Sequence, residues 1–125
     1  MLVPPWNRVD DALIAALPGL GFTGLSLLGP RDAPASPGLA RVNVHVDIVA
    51  WETHRGFAGT GQALERVVHH LAKRRAGLFD SEEPTGLMTH HLEHDAACWE
   101  LVAAFVGRTP LHPAVRWLSV AELFA

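Results

Sequence analysis

Only one cysteine, Cys98, stands in the 125 residues, so no internal disulfide forms and no Cys-rich zinc site can be assembled. No apolar run approaches the ~20 residues that a bilayer-spanning helix needs. The opening MLVPPWNR lacks the basic stretch and following apolar core of a signal peptide, so the chain as written is expected in the cytoplasm. Charge of one sign is not in excess either. Ten Lys plus Arg against thirteen Asp plus Glu leave a net charge of -3, which gives no reason to expect nucleic acid or an anionic membrane as partner. No internal repeat is visible. What is present suits a single soluble domain spanning 1–125, with 49% apolar and 18% charged residues. One compositional feature hints at site chemistry: eight histidines beside ten Lys plus Arg, since histidine titrates and ligates near neutral pH.

Met1–Pro4 reads as a strand stub ended by Pro4-Pro5. Asp10 caps a helix over Asp11–Leu17, with Leu13, Ile14 and Leu17 on one face, and Pro18-Gly19 ends it. Phe22–Leu28 reads as a strand, and Gly29–Gly38 as a loop rich in Pro, Gly and small polar residues. RVNVHVDIVAW, starting at Arg41, is the cleanest strand. Val42, Val44, Val46 and Ile48 point one way, and Asn43, His45 and Asp47 the other. That polar face either opens to water, which the pattern alone favours, or lines a cleft. Thr60 is placed to cap a helix over Gln62–Arg75 with Leu64, Val67, Val68 and Leu71 as its buried stripe and Lys73, Arg74 and Arg75 at its negative end. His69 and His70 fall in this helix as ordinary surface or partly buried side chains. TGLMTH is a short strand; Asp95 opens a helix over Ala96–Val106 closed by Gly107. A last strand is expected around Val115–Leu118, and Ser119 with Glu122 makes a capping box for a final short helix. The alternation is that of an α/β fold with a mostly parallel sheet, whose sites lie beyond the C-terminal strand ends. Asn43-His45-Asp47 and His90-His91 sit at or near such ends.

PTGLMTHHLEHDAACW holds His90, His91, Glu93, His94 and Asp95 within six positions. If the segment were helical, His90 would face His94 and His91 would face Asp95, a spacing that can chelate metal. Thr85-Gly86 and the apolar run after it favour a strand through Thr89 instead. Neighbouring strand residues face opposite ways, so His90 and His91 do not enter one site together. A single histidine at the strand end, acting as general acid or base, fits that geometry better than a self-contained metal site.

Three motifs in order, VPPWN, HVDIVAW and LMTHH, resemble the second half of polysaccharide deacetylase domains, the metal-dependent carbohydrate esterases related to chitooligosaccharide deacetylases. The resemblance runs from Leu2 to Phe124. It implies the C-terminal half of an irregular (β/α) barrel with a divalent metal, usually zinc, at the strand ends. VPPW is similar to the family's groove motif, with Val3 where an arginine is common, which implies that Pro5 and Trp6 line a sugar groove. DIVAW resembles the Asp-x-x-Asp-Trp motif, matching Asp47 and Trp51, with Ala50 in place of the second acid. LMTHH is similar to the motif supplying the general acid, which implies His90, or in the neighbouring register His91, as proton donor, with Asp47 orienting polar partners.

The family's Asp-Asp pair and His-x-x-x-His pair, which carry the base and the metal, have no counterpart here. The chain therefore resembles a C-terminal portion, a truncated or relic deacetylase domain, with none of the family's metal ligands. It is expected to act on the amide of N-acetylated sugars when whole and to be inactive alone. Self-association through open sheet edges is expected. Two other readings stand beside this one: a catalytically dead carbohydrate- or protein-binding domain, and a small metal-binding protein using His90, His91, His94 and Asp95.

Overall fold

The computed structural model describes residues 1–32 and 35–124. Local capping chemistry sets most helix starts. Asp10 accepts the N–H of Leu13 at 2.7 Å and opens α1, Asp11–Ala16. Asp95 accepts that of Cys98 at 2.8 Å and opens α3, Ala96–Arg108. Ser119 and Glu122 close a reciprocal box at the start of α4, Val120–Leu123; Ala125 lies outside the described residues. Each cap satisfies N–H groups that a helix start otherwise leaves open. α2, Thr60–Arg75, begins differently: Gly59, at φ 94°, is its cap residue and Thr60 makes no capping bond, because the sharp entry demands a backbone angle that favours glycine. Gly107, expected to close α3, is instead its penultimate residue, and the helix runs through Arg108.

The strands are short: β1 Gly24–Leu25, β2 Ala35–Ser36, β3 Leu39–Arg41, β4 Val46–Asp47 and β5 Leu87–Met88. β2 lies inside what reads as a loop at Gly29–Gly38, of which residues 33 and 34 lie outside the described residues, and makes an antiparallel hairpin with β3 just past it. β1 pairs β3 in parallel and β4 pairs β5 in parallel. Isolated parallel bridges join Leu2 to Leu25 and Leu28 to Val44. Segments around 2, 25, 40–46 and 87 thus lie side by side in chain order, all parallel. The protein is a mixed α/β fold with two small open sheets.

The long strand expected from Arg41 to Trp51 is interrupted, and polar side chains explain where. Leu27 N–H donates to the Asn43 side-chain oxygen at 3.0 Å, while Val42 and Val44 N–H still donate to the carbonyls of Leu25 and Leu27. At the next step both His45 and Val46 N–H donate to Gly86 O, and Gly86 N–H donates to His45 Nδ1. Side chains replace ladder partners where the chain changes neighbours from β1 to β5. Val115–Leu118 is not a strand among the described residues; Trp117 donates its indole N–H to Thr109 Oγ1 instead, next to α3.

Two apolar clusters hold these elements. Leu17, Leu25 and Leu39 pack with Leu2, Ile14 and Phe22 under α1. Val46, Ile48, Val49, Ala63 and Cys98 pack with Val67, Leu87, Leu101 and Val102 between β4–β5 and the helices α2 and α3. Full burial of a side chain such as Ile48 is worth about 1.5–3 kcal/mol. The stripe expected on α2 is corrected by one residue, about 100° of rotation. Leu64, Val68 and Leu71 are exposed, while Ala63, Val67 and His70 face inward. Small Ala63 lets the helix approach β4, and the second half of the inner face turns His70 toward the buried carboxylate of Glu83 and Arg74 toward Thr85 and Ser81. No helix among the described residues is long and apolar enough to cross a membrane.

Candidate functional site

Asp47 ends β4, and His90 stands two residues past the end of β5. Because the strands run parallel, both side chains reach the same edge. His90 Nε2 lies 3.1 Å from Asp47 Oδ2. The same oxygen accepts the Trp51 indole N–H at 2.8 Å, and Oδ1 accepts the N–H of Val49 at 3.0 Å. Trp51 is placed by the turn after β4, where Ala50 N–H donates to Gly56 O and Val49 bridges Phe57. Its ring meets His90 edge-on at 4.8 Å, and the Arg55 guanidinium sits 5.7 Å above its face. Side-chain exposure is 12% at Asp47 and 23% at His90, so the pair is mostly desolvated with a route to solvent.

A carboxylate only accepts, so His90 presents Nε2–H to Asp47 and keeps Nδ1 as the atom that can exchange a proton. No protein hydrogen bond engages Nδ1 among the described residues. The carboxylate fixes that tautomer.

Of the residues singled out by sequence, Asp47, Trp51 and His90 come together. His91 lies in the exposed turn after His90 and does not reach Asp47. Pro5 and Trp6 occupy a 3-10 turn in which Trp6 is 79% exposed. Asn7 ties that turn to the strand end by accepting Leu28 N–H at 2.6 Å, but among the described residues no ring contact links Trp6 to Trp51 or His90. His94 and Asp95 have internal work. His94 Nε2 accepts His90 N–H at 3.1 Å, and burial, then His90, lowers its pKa. Asp95 accepts from Cys98 and Phe57, bonds that hold its carboxyl below the usual range. The clustered donors of His90, His91, His94 and Asp95 therefore point to different partners.

A second polar group escaped the sequence reading. Glu83 is fully buried; its Oε2 accepts Arg31 N–H at 3.0 Å and lies 3.2 Å from His45 Nε2. Arg31 in turn is paired with Asp80 at 2.8 Å. The His45 ring stacks on His70 with centroids 3.8 Å apart, and His70 Nδ1 is 3.1 Å from Thr85 Oγ1. His70, expected at or near the surface, is 4% exposed. Burial first, then His45, lowers its pKa to about 4. The available signal was helical: His70 follows Ala63 and Val67 on one face. Nothing in FDSEEP marks Glu83 as internal.

No protein-family model matches the chain, and neither a curated protein nor a solved structure matches it.

Proposed function

We propose that the chain is the proton-donating portion of a polysaccharide deacetylase-like hydrolase that cleaves the amide of N-acetylated sugars. The observation that carries this reading is the contact between Asp47 and His90, 43 residues apart in sequence, which joins the two motifs assigned to acid chemistry. Parallel neighbours in chain order, from Leu2 through Leu25 and Val44 to Leu87, support one arc of a (β/α) barrel, with the pair at its C-terminal rim.

In this reading His90 Nδ1 delivers its proton to the sugar nitrogen as the carbonyl carbon–nitrogen bond breaks, and Asp47 holds the imidazolium until then. Trp51 covers the pair and offers an aromatic face to a sugar ring. The surrounding residues do not fit the divalent metal of the family. Asp47 is occupied by Val49, Trp51 and His90, and His94 and Asp95 by backbone N–H groups. This chain's own residues supply neither the family's base nor its metal ligands.

Titration of the ¹⁵N-labelled chain with an N-acetylated chitooligosaccharide tests the reading. The Trp51 indole and His90 ring signals should move together, without release of acetate. Signals that stay in place at millimolar sugar would count against it. In a longer form that releases acetate, His90→Ala should cut turnover roughly 10²–10⁴-fold and His91→Ala should not; the opposite result moves the acid role to His91.

A further inference from the structure

We propose that His45, His70 and Glu83 form a binding site for a divalent transition metal ion of the zinc type. None of the three belongs to the Asp47–His90 pair, and the inference stands whether or not that pair serves a deacetylase.

The three side chains each offer one ligand atom, and these atoms lie within 4.8 Å of one another. Ligands of a common zinc ion at 2.0–2.2 Å stand about 3.3 Å apart in tetrahedral geometry. His45 Nε2 and Glu83 Oε2 are already at 3.2 Å. The remaining closure of about 1.5 Å is within reach of imidazole and carboxylate rotation. His70 Nε2 and Glu83 Oε1 are also buried with no hydrogen-bond partner among the described residues. Buried polar atoms are costly unless paired, commonly about 1–3 kcal/mol each. These two atoms lie on side chains that converge with His45, and a cation is a partner that takes a lone pair from each. Two imidazoles and one carboxylate are the donor types that zinc prefers.

The outer contacts fit as well. His70 turns Nδ1 to Thr85 Oγ1, so Nδ1–H can donate there and leave the Nε2 lone pair free, as ligating histidines generally require. An open cleft of ≈ 420 Å³ lies beside His45 and His70, lined also by Gln62, Glu65 and His69. It supplies an entry path and room for water at the fourth position. Glu83 is held by the Arg31 backbone N–H, which donates to Oε2 at 3.0 Å. One bond is lost on loading. His45 Nδ1 accepts Gly86 N–H at 3.1 Å, and ligation through Nε2 moves the ring proton to Nδ1, which removes that acceptor. The Gly86 amide is therefore a reporter built into the site.

Zinc titration of the full ¹⁵N-labelled chain, with a chromophoric chelator as competitor, tests the proposal. One equivalent should bind, shifting the Nε2 signals of His45 and His70 and the Gly86 amide. Thr85→Val should weaken binding about 10–100-fold, the usual effect of removing an outer partner. His70→Gln and Glu83→Gln should weaken it by more than that, whereas His94→Gln should not. If Glu83→Gln fails to fold, the wild-type ring signals still decide. No binding, or binding that moves only His90, His91 and His94, overturns the proposal.

Discussion

Gly86→Ala tests how closely β4 and β5 must approach to hold Asp47 against His90. A Cβ at residue 86 would stand 2.6 Å from Asn43 O and 2.8 Å from Val44 Cα, where ordinary contact begins near 3.4 Å. Both obstacles are backbone, so relief requires the strands to part by the difference, about 0.8 Å. Gly86 O accepts from His45 and Val46 at 2.7 and 3.1 Å, and those bonds lengthen with the parting. Overpacking costs about 1–3 kcal/mol, and each weakened bond adds up to about 0.5–1.5 kcal/mol. A loss of about 2–5 kcal/mol is expected, a large share of the 5–15 kcal/mol typical of domains. Gly24→Ala is the control. Its Cβ would meet the Phe124 ring more closely still, yet that obstacle is side chain rather than backbone and can swing away, for less than about 1 kcal/mol. Urea unfolding of both variants, with amide protection at His45 and Val46, measures the comparison. A Gly86→Ala protein as stable as wild type, or a Gly24→Ala protein that is the less stable, would refute the backbone-clash argument.

Three further outcomes follow from single contacts. In chelator-containing buffer, unfolding free energy should fall between pH 7 and pH 5. Burial holds His70 near 4 against 6.5 unfolded, so the folded state favours neutral imidazole, and stability present above 6.5 is lost as pH drops toward 4. The full difference is about 3 kcal/mol, and solvent screening along the cleft leaves roughly 2 kcal/mol; His70→Gln should flatten the slope, and an unchanged slope would place it elsewhere. The Cys98 thiol is fully buried and raised by that burial, so its reaction with a disulfide reagent should track global unfolding, and fast labelling of the native protein would contradict the packing. Asp95→Ala removes the acceptor of both Cys98 and Phe57 N–H; the two amides should exchange faster together while Asp10-capped α1 is unaffected, and exchange at Cys98 alone would break the proposed link between α3 and the turn after β4.

What could be read from sequence was what is decided locally. Asp10, Asp95 and Ser119 act on residues three positions away, so their caps are visible without a fold. Asp47 and His90 were visible as strand-end residues, although the choice between His90 and His91 needed the register of β5. The face of α2 was not legible. Leu64, Val68 and Leu71 make the stronger apolar stripe by residue type, but the helix turns them outward because Glu83, from a loop with no periodic signal, engages the neighbouring face through His45 and His70. Nor was the interruption of the central strand legible, since it arises from Asn43 and His45 taking backbone partners on other strands.

The polar face of that strand shows how burial divides labour among similar residues. Asn43, His45 and Asp47 alternate as a water-facing strand edge would, yet Asn43 is 5% exposed, and the side chains of His45 and Asp47 are 1% and 12% exposed. Each had to find partners, because an unpaired polar group loses more on leaving water than burial returns. Asn43 is satisfied by Leu27 N–H and Gly29 O, and its role ends in structure. Asp47 has Val49, Trp51 and His90, and through His90 its charge reaches solvent at an exchangeable nitrogen. His45 has Gly86 N–H at Nδ1 and Glu83 beside Nε2, while its neighbours His70, Arg74 and Glu83 retain unpaired atoms. Burial thus gives three alternating polar residues of one strand three different sets of partners, and the unpaired atoms left on His70 and Glu83 around His45 are the ones the proposed cation would engage.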